Sequence, residues 1–180
     1  VNQVLKYRRE KSMKYTISEA AKQIKLLNYE KDNLLQKEAM NSTFVAATTE
    51  NLEELRPEYS YDDTRRVVED IDQKIRKLRN AINVFNISTN VEEFAMTLDQ
   101  LLIYIPQLSA KKEVLQGLMS RQEKVRDNLF NRAGNIIDYR YTNYDPKEAE
   151  KDYFSVVEEL GKAQTAVDLI NNTATIEVDI

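Results

Sequence analysis

The residues best equipped for chemistry lie between Arg132 and Tyr144, in the run RAGNIIDYRYTNY. A guanidinium holds a phosphate with two parallel N–H groups, and a tyrosine ring stacks on a planar base. Ile137, Tyr139 and Tyr141 alternate with Asp138, Arg140 and Thr142, the pattern of a strand. In a strand Tyr139 and Tyr141 share one face and Arg140 takes the other. Arg132, Tyr139, Arg140, Tyr141 and Tyr144 are therefore candidate binding residues for a small anionic, nucleotide-like ligand. The plainer alternative is that the tyrosines fill the end of a helical bundle with their hydroxyls in water.

A second polar cluster is Asn83, Asn86, Ser88, Thr89 and Asn90. Free amides at the start of the helix that follows it would suit an anion or a ribose. Turn and capping bonds are the ordinary use of such residues. Carboxylates come in pairs at Asp70-x-Asp72, Glu92-Glu93 and Glu158-Glu159. A di-iron bundle needs inward-facing Glu-x-x-His pairs, and the chain has no His. An oxygen-only Mg²⁺ site is chemically open, although solvated helix faces and caps use the same residues. With neither His nor Cys, Ser-His triads, thiol catalysis, disulfides and thiolate metal sites are excluded. The expectation is a protein that is not an enzyme and carries no metal or cofactor.

The elements that position these residues are helical. Of 180 residues only three are Gly and three Pro, while 42% are hydrophobic and 31% charged. That composition suits long helices with few turns. The organising stretch runs from Asp62 to Asn90, where Val68, Ile71, Ile75, Leu78, Ile82 and Phe85 step by three and four. This is a heptad seam. On the opposite face Asp70 precedes Lys74 and Asp72 precedes Arg76, acid before base at i,i+4. The polar link Asn86–Asn90 then joins an αα-hairpin, with Thr89-x-x-Glu92 as the capping box of the next helix.

Upstream, Thr16-x-x-Glu19 is another capping box. It opens a helix carrying Ile17, Ala20, Ile24, Leu27 and Leu34, with Lys31 as the exception in its seam, to about Ala39. Phe44–Thr48 reads as extended, and Asn51–Leu55 as one helical turn before Pro57. Ser60 or Asp62 caps the organising helix.

Downstream, Phe94, Leu98, Leu101, Ile105, Leu108, Leu115 and Met119 hold one phase across Pro106. That phase predicts a kinked helix ending near Arg132. The Tyr139 strand is expected to pair with the Phe44 segment. Asp145-Pro146-Lys147-Glu148 starts the last helix. Its seam is Ala149, Tyr153, Val156, Leu160, Ala163, Val167 and Ile170, and Asn171-Asn172 ends it. Thr173–Ile180 is β-prone.

Residues 1–12 differ from the rest. Met13 is a plausible start, and Arg8-Arg9, if encoded AGG-AGG, would be a ribosome-binding sequence just upstream of it. Residues 1–12 are thus expected to be a translated leader or a basic arm, and 13–180 a single domain. The net charge of −4 argues against nucleic acid or anionic lipid as a partner of the whole surface. No apolar run approaches the ~20 residues of a membrane helix, so no membrane association is expected. No apolar signal core is seen, which makes the cytoplasm the expected location.

Ile82-Asn83, Thr89-Asn90, Tyr139-x-Tyr141 and Asn172-Thr173, in this order among these helices, resemble a family of small bacterial and phage-borne proteins labelled septicolysin. The resemblance covers residues 13–180. That family carries an Arg-Asp pair in its third helix where this chain has Leu98-Asp99, so a role for that Arg does not transfer. The label implies a cytolysin, whereas these helices are highly charged and include no apolar hairpin able to insert. The resemblance also implies an all-helical oligomer.

The expected fold is all-α, an antiparallel bundle of four long helices with a small two-stranded β appendage. The expected function is that of a non-enzymatic, self-associating interaction or scaffold module whose partner is itself, as a homo-oligomer. A binding protein for the anionic ligand and a cytolysin are the alternatives.

Overall fold

The computed structural model describes residues 12–127 and 138–180. The described residues are mostly helical, with five α-helices and three two-stranded antiparallel ribbons. They divide into two compact units, residues 12–86 with 170–180 and residues 87–169. No helix among the described residues is long and apolar enough to cross a membrane.

The first unit begins with β1 (Ser12–Thr16) and α1 (Ile17–Asn41). Thr16 caps α1 as its sequence predicts. Its hydroxyl accepts from the Glu19 N–H at 3.1 Å, and Glu19 accepts from the Thr16 N–H at 2.8 Å. A single turn, α2 (Leu52–Leu55), precedes Pro57. Ser60 then receives the Asp63 N–H at 3.3 Å as α3 (Tyr61–Ser88) begins.

Ile71, Ile75 and Leu78 of the predicted seam are buried on α3, against Ile17, Ala20 and Leu27 of α1, with Ile82 and Phe85 partly buried beside them. The two helices run antiparallel. Arg65 on α3 pairs with Glu38 on α1, and seven residues further along α3, Asp72 pairs with Lys31, seven residues earlier on α1. Lys31, the polar intruder in the α1 seam, thus has an acid waiting at 2.8 Å. The expected Asp72–Arg76 rung is replaced by this pair, because the facing helix offers Asp72 a half-buried ammonium. Arg76 turns to Glu69 at 2.7 Å, while Asp70–Lys74 forms as expected at 2.7 Å.

The far end of the chain closes this unit. β6 (Thr175–Asp179) pairs with β1 from Ser12↔Asp179 to Thr16↔Thr175. Ile176 and Val178 enter the α1/α3 core while Thr175, Glu177 and Asp179 face out, the alternation of a half-buried strand.

The second unit corrects two helix limits. Thr89 does not start the next helix. Asn90–Val91 (β2) and Met96–Thr97 (β3) form a tight hairpin over one 3₁₀ turn, Glu92–Phe94, with Ala95 left-handed at φ 50°. α4 (Leu98–Met119) begins behind a second capping box, Thr97-x-x-Gln100. Only the downstream box forms: the 3₁₀ turn starts behind Val91 with no side-chain cap, so Thr89 caps no helix. α4 also stops at Met119, not near Arg132. Ser120 caps it, and Lys124–Arg126 has become strand β4. Pro106 lies inside an unbroken α4, and Leu98, Leu101, Leu108 and Leu115 keep one buried face across it.

α5 (Pro146–Thr173) starts as predicted, with Asp145 accepting from the Lys147 N–H at 2.9 Å. It runs antiparallel to α4: Tyr104 bonds Glu159 on α5, and the Leu118 carbonyl bonds Tyr144 just ahead of α5. Four long helices are therefore present, and each unit contains one antiparallel pair.

Candidate functional site

β5 (Tyr139–Tyr141) is the strand its alternation predicts, but its partner is β4, in the register Lys124↔Tyr141, Val125↔Arg140, Arg126↔Tyr139. The expected pairing with Phe44 does not occur. Phe44–Ala47 forms no strand, and the Phe44 ring lies 6.0 Å from the Arg56 guanidinium. The physical reason is loop closure. Twelve residues separate β4 from β5 in sequence, against some ninety between Phe44 and Tyr139, and the shorter loop costs less entropy to close. The ladder is extended at both ends by Asp127 N–H to the Asp138 carbonyl at 2.8 Å and Thr142 N–H to the Glu123 carbonyl at 3.1 Å.

The register sorts the side chains onto two faces. One carries Lys124 and Arg126 opposite Tyr141 and Tyr139, all exposed. The Lys124 ammonium sits 4.1 Å from the Tyr139 ring centre and 5.5 Å from that of Tyr141. The two rings tilt 51° to each other at 6.4 Å. A cation over a ring face is attracted by the ring quadrupole, so Lys124 holds the two rings as one platform. The other face carries Val125 and Arg140. Arg140 points away from the tyrosines as expected and bonds Asp127 at 3.1 Å, with 64% of its side chain exposed.

An open groove of about 930 Å³ runs beside the ribbon, lined among others by Arg121, Arg126, Arg140, Asn143 and Tyr144. A smaller one of about 610 Å³ adjoins it at Lys124, Tyr141 and Lys147. Tyr144 is half-buried, and its hydroxyl donates to the Leu118 carbonyl at 2.8 Å, tying the ribbon to the end of α4. Of the five residues singled out in this segment, four gather at the ribbon; Arg132 lies outside the described residues. Lys124 and Arg126 complete the face and were missed in sequence. Their signal, basic–apolar–basic at Lys124-Val125-Arg126, is strand alternation hidden inside an apparent helical phase.

The asparagine-rich link is arranged differently from expectation. Asn83 and Asn86 belong to α3, Asn83 exposed and Asn86 half-buried, and α3 continues through Ile87 and Ser88. The Thr89 carbonyl accepts from the Leu98 N–H at 2.8 Å, and Asn90 pairs with Thr97. The amides expected to face a ligand belong to α4, whose Gln100 N–H is already satisfied by Thr97 Oγ1 at 3.3 Å.

Two of the three carboxylate pairs are likewise engaged, Asp70 and Asp72 with Lys74 and Lys31, and Glu158-Glu159 on α5. Glu158 pairs with Lys162 at 2.7 Å, and that bond lowers the Glu158 pKa and raises that of Lys162. Glu159 accepts from Tyr104 at 2.8 Å, a bond which, followed by burial, raises the phenol above its usual range. No group of three or more acidic side chains converges as a metal site among the described residues.

Comparison of the chain with protein-family models, with curated proteins and with solved structures returned no match.

Proposed function

We propose that this is a non-enzymatic, self-associating helical protein. The observation that supports it is the composition of α4. No residue from Gln100 to Ala110 is charged, and apolar residues occur all round the helix. A helix apolar on every side is ordinarily covered on every side. Yet Ile103 is 57% exposed and Val114 63% exposed on the side away from Leu101 and Leu108. Sedimentation velocity at micromolar concentration is expected to give at least twice the 21.0 kDa chain mass. A monomer at every concentration up to several hundred micromolar would remove the reading.

A second reading is favoured by the ribbon itself, where Lys124, Arg126, Tyr139 and Tyr141 share one exposed face beside the groove. That face suits a planar anion such as a nucleotide, stacked on the rings and neutralised by the cations. A nucleotide panel should raise the melting temperature, and Tyr141→Ala together with Lys124→Ala should abolish the rise. No shift with any nucleotide at millimolar concentration would leave self-association alone.

A further inference from the structure

Resting on the self-association reading, we infer that the outward face of α4 is a two-fold interface, in which α4 crosses α4 of a second copy antiparallel at Ala110. The stripe reads Asp99, Ile103, Gln107, Ala110, Val114, Gly117, with steps of four, four, three, four and three. It continues through the C-cap Ser120, whose backbone is still right-handed helical (φ −80°, ψ −6°), to Arg121. Every member from Ile103 to Gly117 is exposed, and none is charged.

Charge selects the occupant. The stripe has an acid at its start and a base at its end, each eleven residues from Ala110. At 1.5 Å per residue both lie roughly 16 Å from the crossing point. A two-fold axis at Ala110 therefore brings Asp99 level with the partner's Arg121, and Arg121 level with the partner's Asp99. The same surface patch complements itself, which is what an isologous dimer requires. A parallel crossing would set acid beside acid and base beside base. The same register sets Ile103 against the partner's Gly117 and Pro106 against the partner's Val114. Lys111 and Glu113 border the stripe on opposite sides.

Gly117 leaves room for a close approach on this stripe, as the equally open Gly161 does on α5. Glycine inside a helix is destabilising relative to alanine. A Cβ added to Gly117 would meet nothing within 4 Å among the described residues. In the proposed register this open space is where the partner's Ile103 would lie.

The test is charge exchange, read by sedimentation equilibrium at low salt. Asp99→Arg and Arg121→Asp should each raise the dimer dissociation constant about tenfold, since each turns two attractive pairs into two repulsive ones. The double variant D99R/R121D should return it to within about threefold of the parent, because the pairs are restored with their signs reversed. In parallel, Ala110→Cys introduces a thiol into a chain that has none, and a short bismaleimide should link it to a dimer. Lys162→Cys, exposed on α5, should not be linked. An oligomer unmoved by either single variant and not linked through Ala110→Cys overturns this interface and leaves self-association standing. A parent chain that is monomeric throughout overturns both.

Discussion

Replacing Leu78 by alanine is the most direct trial of the packing described for the first unit. Leu78 is 0% exposed on α3 and sits in one cluster with Ile17, Ala20, Leu27, Ile71 and Ile75. The substitution removes three carbons from a place where α1 and α3 meet and the neighbouring side chains are themselves held by helix backbone. The lost transfer energy and the cavity left behind together cost about 3 kcal/mol, within the usual span of roughly 2–5 for such changes. At about 2–4 °C per kcal/mol for a chain of this length, the melting temperature should fall by ~6–12 °C. Leu26→Ala, at a position 62% exposed on α1, is the control and should move stability by less than about 0.5 kcal/mol. Urea titration followed by circular dichroism at low protein concentration reads both. If Leu78→Ala lies within about 1 kcal/mol of the parent, or if the two variants cost the same, the α1/α3 core is not where the structure places it.

Three further outcomes are expected. Lys31→Met combined in a double-mutant cycle with Asp72→Asn should show a favourable coupling of about 0.5–1 kcal/mol, small because both side chains are partly exposed; a coupling near zero would remove the pair from the account. Thr97→Ala should cost about 1 kcal/mol and Thr89→Ala less, since only Thr97 caps a long helix; the reverse order would restore the helix start to Thr89. The third concerns alkaline pH. Tyr104 has its pKa raised from 10.0 by its bond to Glu159, so the folded state holds this proton more tightly than the unfolded state. Its contribution is complete below pH 10 and is lost as pH rises through the higher folded value. Tyr104→Phe should therefore flatten part of the alkaline fall in stability, and an unchanged profile would show the bond to be absent.

Local signals carried most of the helix starts. Thr16-x-x-Glu19 and Asp145-Pro146 act through residues within one turn of each other, so they can be read without knowing the rest of the chain. The seam from Ile71 to Leu78 was legible because a period of three and four has few other uses. The start of α4 was not, because two capping-box patterns stand eight residues apart, at Thr89 and Thr97, and only the second forms its bonds. Its end was missed because no Gly or Pro stands between Met119 and Gly134 to stop a helix, and strand pairing, which does stop it, is not local. Strand partners were the least legible. Tyr139–Tyr141 announces a strand, but nothing in those three residues names Lys124–Arg126, and nothing in Lys14 or Tyr15 names Glu177 or Ile176. Pairing is a choice among distant segments, decided by loop entropy and by which apolar faces remain uncovered. The aromatic half of the ribbon face was therefore visible in sequence, while its cationic half came only with the register.

The β1–β6 ribbon has a consequence for biosynthesis. α1 and α3 leave the ribosome early, yet two of the residues that seal their core are Ile176 and Val178. Until residue 178 has emerged, the apolar side chains of Ile17, Leu27 and Ile75 lack part of their cover, while all of the second unit is translated in between. The unit that begins first is the one that finishes last. Over that interval its uncovered seam is the surface a chaperone would hold, and the one through which two nascent chains on neighbouring ribosomes would most readily exchange strands.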